Sequence, residues 1–481
     1  ICDVPKINDP EKKLKDEIVV MVKNTGEIKG PVCVQAMKNK IVVNTIWYEG
    51  FTGKAGLLFP KGDYDEISID QLGKMPEINR KNNTIYTHEI FRKVEPLKIQ
   101  LAGSLDNPKR TQLFWMPTVG FNSYDKFMIG AAIYNHVMPG KKLEWCAMPM
   151  YSSGDKSLVG HADASYTIYP KNVFRNICIG VNANQYNFYK IQSADLPIGG
   201  RELNKRLGFI KIAPEINFDI QKSYARSPIS QQILLRAVYL KTNKINETYD
   251  RDGGSTWSVG DVERTFYEVS YLFKNKRALN AYNFLVKFQS GDFMNKLQAT
   301  GNYKININAK KIINIRVFAG TFLGNTSTGD YRFRMSSWGT SGNNFGMQDY
   351  LFDNILLGRS ETSGLLSQQM ITEDGGFKVF STSGQSNSWL TALNFTLPMP
   401  FKNKLLSIIN FYGDFGVCNT NPYNVSANKN ILTAYGAGIQ LVLGPCFIYI
   451  PLLISPDVKD YNLANGIKFP KLIRFELNLN K

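Results

Sequence analysis

From Thr111 to the end of the chain, apolar and polar side chains alternate with a period of two over segment after segment. Each segment is about ten residues or longer, the length a tilted membrane strand needs. In Lys211 to Gln221, one face carries Ile212, Pro214, Ile216, Phe218 and Ile220, and the other Lys211, Ala213, Glu215, Asn217, Asp219 and Gln221. Tyr282, Phe284, Val286 and Phe288 oppose Asn283, Leu285, Lys287 and Gln289. The final segment sets Ile473, Phe475, Leu477 and Leu479 against Arg474, Glu476, Asn478 and Asn480. This period gives each strand one wet and one dry face but leaves open which face is inside, because a soluble sandwich alternates in the same way. It does exclude a helical membrane protein. The longest apolar run, Cys446 to Ile454, is broken by Pro451 and falls well short of the roughly 18 residues of a spanning helix. Such a chain crosses a bilayer only as a closed barrel, since lipid cannot satisfy an open strand edge.

The connections favour the barrel. Strands read near 111–119, 126–136, 142–151, 157–169, 173–186, 206–221, 229–242, 262–274, 279–290, 293–306, 311–323, 387–398, 405–418, 431–443, 446–455 and 470–480. That is about 16, an even number, as in single-chain bacterial barrels. Connections leaving even-numbered strands stay at roughly 2 to 7 residues, whereas the long ones, of about 19, 19, 63, 12 and 14 residues, all leave odd-numbered strands. The longest, 324–386, is rich in Gly, Ser, Asn and Thr and is expected to fold inward as a plug, form a lid or remain a surface loop. Lys or Arg occurs at six of the seven short turns, which reads as contact with anionic head groups or as simple solubilisation of turns. The polar faces send Glu215, Arg236, Glu268, Lys287, Arg316, Arg474 and Glu476 toward the lumen. Mixed signs there point to a lumen knitted by ion pairs or filled by a plug, not to a pore selective for one charge. Strand glycines such as Gly320 and Gly436 mark bends or close approach of a neighbour.

Before the barrel, residues 1–15 form an N-terminal segment and 16–95 a compact all-β module. Asp16 to Lys23, Pro31 to Tyr48, Leu57 to Pro60, Tyr64 to Asp70 and Asn83 to Thr87 are short β-rich stretches separated by turns, the pattern of an immunoglobulin-like sandwich. The barrel is expected over 96–481. The net charge of +17 raises nucleic acid, but no basic helix, finger spacing or RNA-binding signature accompanies it. His88-Glu89 lacks the second histidine of a zinc motif, Arg92 standing in its place. His136 and His161 have no serine or cysteine nucleophile beside them in sequence. Six dispersed cysteines form neither a metal pattern nor a disulfide framework. Ile1 is preceded by no leader, so a signal or a longer upstream region is expected to have been removed or left out.

Three stretches carry a family resemblance: Met75 to Ile85 (MPEINRKNNTI), Lys93 to Gln100 (KVEPLKIQ) and Thr111 to Gly130 (TQLFWMPTVGFNSYDKFMIG). They resemble the C-terminal half of Bacteroidota proteins of the M1 (gluzincin) metallopeptidase type, in which a sandwich and a barrel similar to the surface-antigen or Omp85 class follow a peptidase-like region. The likeness is strongest from Trp47 to Pro170 and fades to pattern beyond. It implies a zinc peptidase upstream. The family's zinc motif does not occur in this sequence, so no catalytic or metal residue carries over, and no cofactor is expected in this chain. The sequence reading is therefore an outer-membrane barrel with a periplasmic sandwich, anchoring a peptidase-like region or serving in an outer-membrane protein assembly. Its expected partners are outer-membrane lipids and other outer-membrane or periplasmic proteins, with no nucleic acid. The rivals are a soluble all-β binding protein for a carbohydrate or protein ligand, and a zinc aminopeptidase whose catalytic domain is missing from this chain.

Overall fold

The computed structural model describes residues 17–478, apart from 88–95, 192–205, 250–254, 325–330, 340–348, 400–405, 421–430 and some single positions. Cys2, His88-Glu89, the connector 92–95 and the turn lysines Lys171, Lys310, Lys402 and Lys404 lie outside the described residues. The chain divides into one unit of residues 1–115 with 135–140 and a second of 116–134 with 141–481.

The first unit holds β1 (Glu17–Asn24), β2 (Val32–Lys38), β3 (Ile41–Tyr48), β4 (Gly53–Pro60), β5 (Glu66–Ile69), β6 (Thr84–Tyr86) and β7 (Leu97–Leu101). β1 pairs with β4, and a second sheet runs β3-β2-β5-β6. Between them Val22, Val34, Ala36, Leu57 and Phe59 form the core of a small two-sheet β-module. The β-rich stretch from Pro31 to Tyr48 is a hairpin, because Asn39 and Lys40 take φ of 50° and 66°. Two successive residues at positive φ make the tight turn that matches strand twist. Tyr48 donates its hydroxyl to the Leu58 carbonyl. Burial first, then the Glu17 carboxylate, pushes this phenol up to about 12, so it keeps the proton that the bond needs.

The barrel strands are β8 (Thr111–Asn122), β9 (Lys126–Tyr134), β10 (Leu143–Ser152), β11 (Leu158–Ile168), β12 (Phe174–Lys190), β13 (Arg206–Ile220), β14 (Ile229–Tyr249) and β15 (Ser255–Asn275). They continue as β16 (Tyr282–Gly291), β17 (Met294–Asn306) and β18 (Ile312–Phe322). Four two-residue strands follow, β19 (Phe333–Arg334), β20 (Trp338–Gly339), β21 (Met370–Ile371) and β22 (Gln385–Ser386). The last are β23 (Trp389–Pro398), β24 (Ile409–Asn419), β25 (Ile431–Leu443), β26 (Cys446–Ile454) and β27 (Arg474–Leu477). β7 to β18 and β23 to β27 belong to one 17-strand, barrel-type sheet.

All sixteen expected strands are present, and the additional member is β7, too short for the alternation to flag, which runs parallel to β8. From β9 to β27 every ladder is antiparallel between neighbours in the sheet order. Three details differ from the sequence reading. First, the long connection expected after residue 242 is mostly strand, since β14 and β15 stay paired from Ile229↔Asn275 out to Tyr249↔Ser255. Second, the connection between β26 and β27 contains helix α1 (Pro456–Ala464), begun by a proline in its first turn, where a missing N–H costs nothing. It is too short to cross a membrane. Third, the strand expected from 405 begins at Ile409 after a 3-10 turn, and the final one, among the described residues, covers Arg474–Leu477.

The two faces of the sheet invert the usual order of a soluble protein. Along β25, Ile431 and Tyr435 are 55% and 41% exposed, while Leu432 and Ala434 between them are buried. Leu393, Phe411, Phe415 and Val317 are likewise exposed, yet Lys211, Glu268, Lys296, Asp414 and Arg474 are buried. Charged residues are seldom buried unless paired, and contiguous exposed apolar surface marks contact with something apolar.

Cys418 stands opposite Leu432 and Cys446 opposite Leu443, so about eleven residues of β25 separate them, roughly 36 Å at strand rise. That is far beyond the roughly 7 Å Cα limit for a disulfide. Mass spectrometry of the unreduced protein should therefore find no Cys418–Cys446 crosslink, and finding one would overturn this strand order.

Candidate functional site

The described residues between β18 and β23 pack onto the inner face of the sheet. β19 pairs with β22 and β20 with β21, which gives this Gly- and Ser-rich segment a skeleton of its own. Tyr331, Phe333, Met335, Tyr350, Leu351, Phe377 and Val379 from the segment share one apolar cluster with strand residues Val238, Phe266, Met294, Phe318, Leu390 and Leu432. Two strand glycines make room for it. A Cβ on Gly320 would lie 2.5 Å from the Phe333 ring, and one on Gly436 would lie 2.9 Å from Val379. The hydrophobic contact fixes that the segment is held; the charges fix where.

The first charged cluster centres on Asp353. Its carboxylate accepts a bond from Lys211 of β13 and bonds at 2.7 and 2.9 Å from Arg236 of β14. Arg236 also reaches Glu268 of β15 at 3.2 Å. Glu268 accepts from Gln289 at 2.7 Å and lies 3.7 Å from Lys287, both on β16. Gln289 in turn accepts the Tyr350 hydroxyl at 2.7 Å. Asp349 anchors the turn before Asp353 by accepting from the backbone N–H groups of Asp353 and Asn354 and from the Arg359 guanidinium at 2.8 Å. Phe352, at φ 52°, stacks on Phe209 at 4.1 Å.

A second cluster surrounds Asp374, whose carboxylate accepts from Trp338 Nε1 at 2.8 Å and lies 3.7 Å from the buried Lys296 ammonium of β17. The same ammonium sits 4.4 Å over the Phe333 ring. Arg316 of β18 donates to the Asp374 carbonyl at 2.6 Å and to Asn394 of β23 at 3.0 Å. Asn394 donates to Asp414 of β24, which also accepts the Lys378 ammonium at 3.0 Å. The third cluster is on β27. Arg474 donates to the Ser337 carbonyl at 3.0 Å, and Glu476 accepts from Thr372 Oγ1 and the Tyr449 hydroxyl, both at 3.1 Å.

Of the seven residues expected in the lumen, Arg236, Glu268 and Lys287 thus meet in one network, while Arg316, Arg474 and Glu476 each grip the segment separately. Glu215 faces Arg236 in the β13–β14 ladder and is half-buried. Sequence reading missed Asp353, Asp374, Lys296 and Asp414. Asp414 had a signal, being the one charged residue of its strand, between Gly413 and Phe415; Asp353 and Asp374 had none, lying in a segment without periodicity. Buried ion pairs contribute little net stability, because desolvation offsets their attraction. Their effect is to penalise every placement that leaves one charge unpaired.

A cavity of about 90 Å³ lies among these clusters, lined by Lys287, Gln289, Lys296, Tyr350, Asp353 and Glu373. Small-molecule sites are several times larger, at about 300–1,000 Å³. Among the described residues, no three of His, Cys, Asp and Glu converge as a metal site.

No known family profile matches this chain. No curated protein matches it either. Among solved structures, BamA from Haemophilus ducreyi lacking POTRA domains 1–3 aligns with a TM-score of 0.36 at 10% identity, over 75% of this chain and 72% of that one. CdiB from Acinetobacter baumannii aligns at 0.32 and 10%, over 73% of this chain and 60% of that one. CdiB from Escherichia coli aligns at 0.34 and 9%, over 75% and 65%. The chain therefore spans less than two thirds of either CdiB.

Proposed function

We infer that the protein is a plugged β-barrel of the outer membrane of a Gram-negative bacterium, with 16–95 as its sandwich, 96–481 as its barrel and 324–386 as its plug. The observation that carries this reading is the inverted sheet: charged residues buried on the inner face, apolar ones exposed on the outer. A soluble binding protein has no use for that arrangement, whereas lipid outside and a polar interior require it. With the described part of the segment packed against the inner face, the barrel acts as an anchor or as a component of a protein assembly, not as a diffusion pore. Its partners on this reading are membrane lipids and other outer-membrane or periplasmic polypeptides, and nucleic acid has no part. A zinc peptidase upstream, as the resemblance implies, would bring its metal with residues outside this chain.

Sidedness follows from the strand count. Sixteen strands from β8 to β27 return the chain to the rim from which it started, and the short turns lie at that rim. Short turns face the periplasm in this class of barrel, which puts the sandwich there too. The test is labelling of intact cells with a membrane-impermeant thiol reagent, in a background without native cysteines. Lys156→Cys, in a turn at the opposite rim, should react. Lys61→Cys in the sandwich and Lys276→Cys in a short turn should stay silent until the outer membrane is opened. Labelling of Lys61→Cys on intact cells would reverse the barrel. A protein that remains in solution without detergent and runs identically boiled or unboiled would overturn the membrane reading altogether.

A further inference from the structure

We propose that the short-turn rim of the barrel docks the headgroups of anionic phospholipids, an inference that rests on the membrane-spanning reading above. Among the described residues, the seven short connections, 135–142, 169–173, 221–228, 276–281, 307–311, 399–408 and 444–445, hold seven lysines and arginines and no aspartate or glutamate, while Glu144, just past the first of them, accepts the Lys141 backbone N–H at 2.8 Å. The described connections at the other rim mix signs: Asp155 with Lys156, and Asp457 and Asp460 with Lys459. Solubility of turns needs charge but not a single sign, as that rim demonstrates. It does not account for the missing acids.

A second, independent feature sets the depth of these cations. On the outer face, just inside the short turns, aromatic rings form a band. Phe174 and Phe218 lie 5.1 Å apart, Phe273 stacks on Phe284 at 5.0 Å and 8°, and Tyr282 meets Tyr303 at 6.3 Å. Aromatic girdles of this kind sit at the boundary between hydrocarbon and headgroups. The basic turns begin within a few residues of the band, which is the level of the lipid phosphates. Arg277 lies 5.2 Å over the Tyr282 ring and donates Nε to the Asn280 carbonyl at 2.8 Å. Lys222 donates to the Ser227 carbonyl at 3.2 Å. Backbone carbonyls orient these groups without neutralising them, so their charge is directed to an outside anion. The attraction of several such cations to an anionic surface adds, and salt screens it.

The test uses the full chain, folded and inserted into vesicles of phosphatidylcholine with phosphatidylglycerol as a minor component. Lipid retained on detergent extraction is counted by mass spectrometry. Phosphatidylglycerol should be enriched about tenfold over its share, and high salt should reduce the enrichment. Replacing Lys142, Lys222, Arg226, Lys276 and Arg277 by glutamine should abolish it while the folded, heat-modifiable band persists. Lys156→Gln with Lys459→Gln, at the other rim, should leave it unchanged. Equal retention of the two lipids by inserted wild-type protein would overturn the proposal and point to an acidic polypeptide as the occupant of the rim. Enrichment that survives the five substitutions, or that is lost with the two at the other rim, would overturn it as well. Failure of the wild type to insert in any vesicle would overturn the membrane-spanning reading, and this proposal with it.

Discussion

Asp353→Ala is expected to free the plug. The change removes a carboxylate that both Lys211 and Arg236 reach on the segment, and Lys211 is only 4% exposed. Deleting one partner of a buried pair costs about 3–5 kcal/mol, because the other charge is left without compensation. Spread over a plug held by three clusters, that is enough to populate an open form. In planar bilayers the wild type should pass almost no current, and the variant should show frequent openings. Trypsin should gain access to Arg332, Arg334, Arg359 and Lys378 in the same segment. Adding Lys211→Ala to Asp353→Ala should restore part of the closure, since it removes the stranded charge. Equal conductance in wild type and variant would mean that the segment does not close the lumen.

The second large effect is on the outer face. Leu393→Arg should abolish most of the folded yield, whereas Lys287→Gln should leave it nearly intact. Leu393 is 40% exposed, midway along β23, with Val317 and Phe415 as its ladder neighbours. A charge at that depth costs about 2–4 kcal/mol in hydrocarbon. Lys287 lies on the inner face, 3.7 Å from Glu268, where a neutral donor keeps most of the contact. The alternation points equally to Phe284 as an outward residue, but the structure places it two positions from the start of β16, in the aromatic band, where an arginine reaches water. The measurement is the fraction of protein in the heat-modifiable band after refolding into vesicles. Similar yields for Leu393→Arg and Lys287→Gln would invert the two faces.

What the sequence determined by itself is the set of strands and their two faces, because a period of two is a local property that each strand carries in its own residues. Arg236, Glu268 and Lys287 could be put on one side of the sheet from alternation alone, and register then made neighbours of Arg236 and Glu268. Asymmetric loop lengths were equally legible, being a matter of counting between strands. What only the tertiary structure decided is where the longest connection goes and which charges hold it. Lys211 and Asp353 are 142 positions apart, and Arg474 meets Ser337 across 137. No local pattern encodes such pairings, since each charge is ordinary in its own segment and becomes a partner only when the sheet brings the inner faces together. The short parallel strand β7, the outer half of the β14–β15 hairpin and helix α1 were missed for a related reason. Each is too short or too polar to hold its shape by propensity, and each depends on a neighbour that only the folded chain supplies.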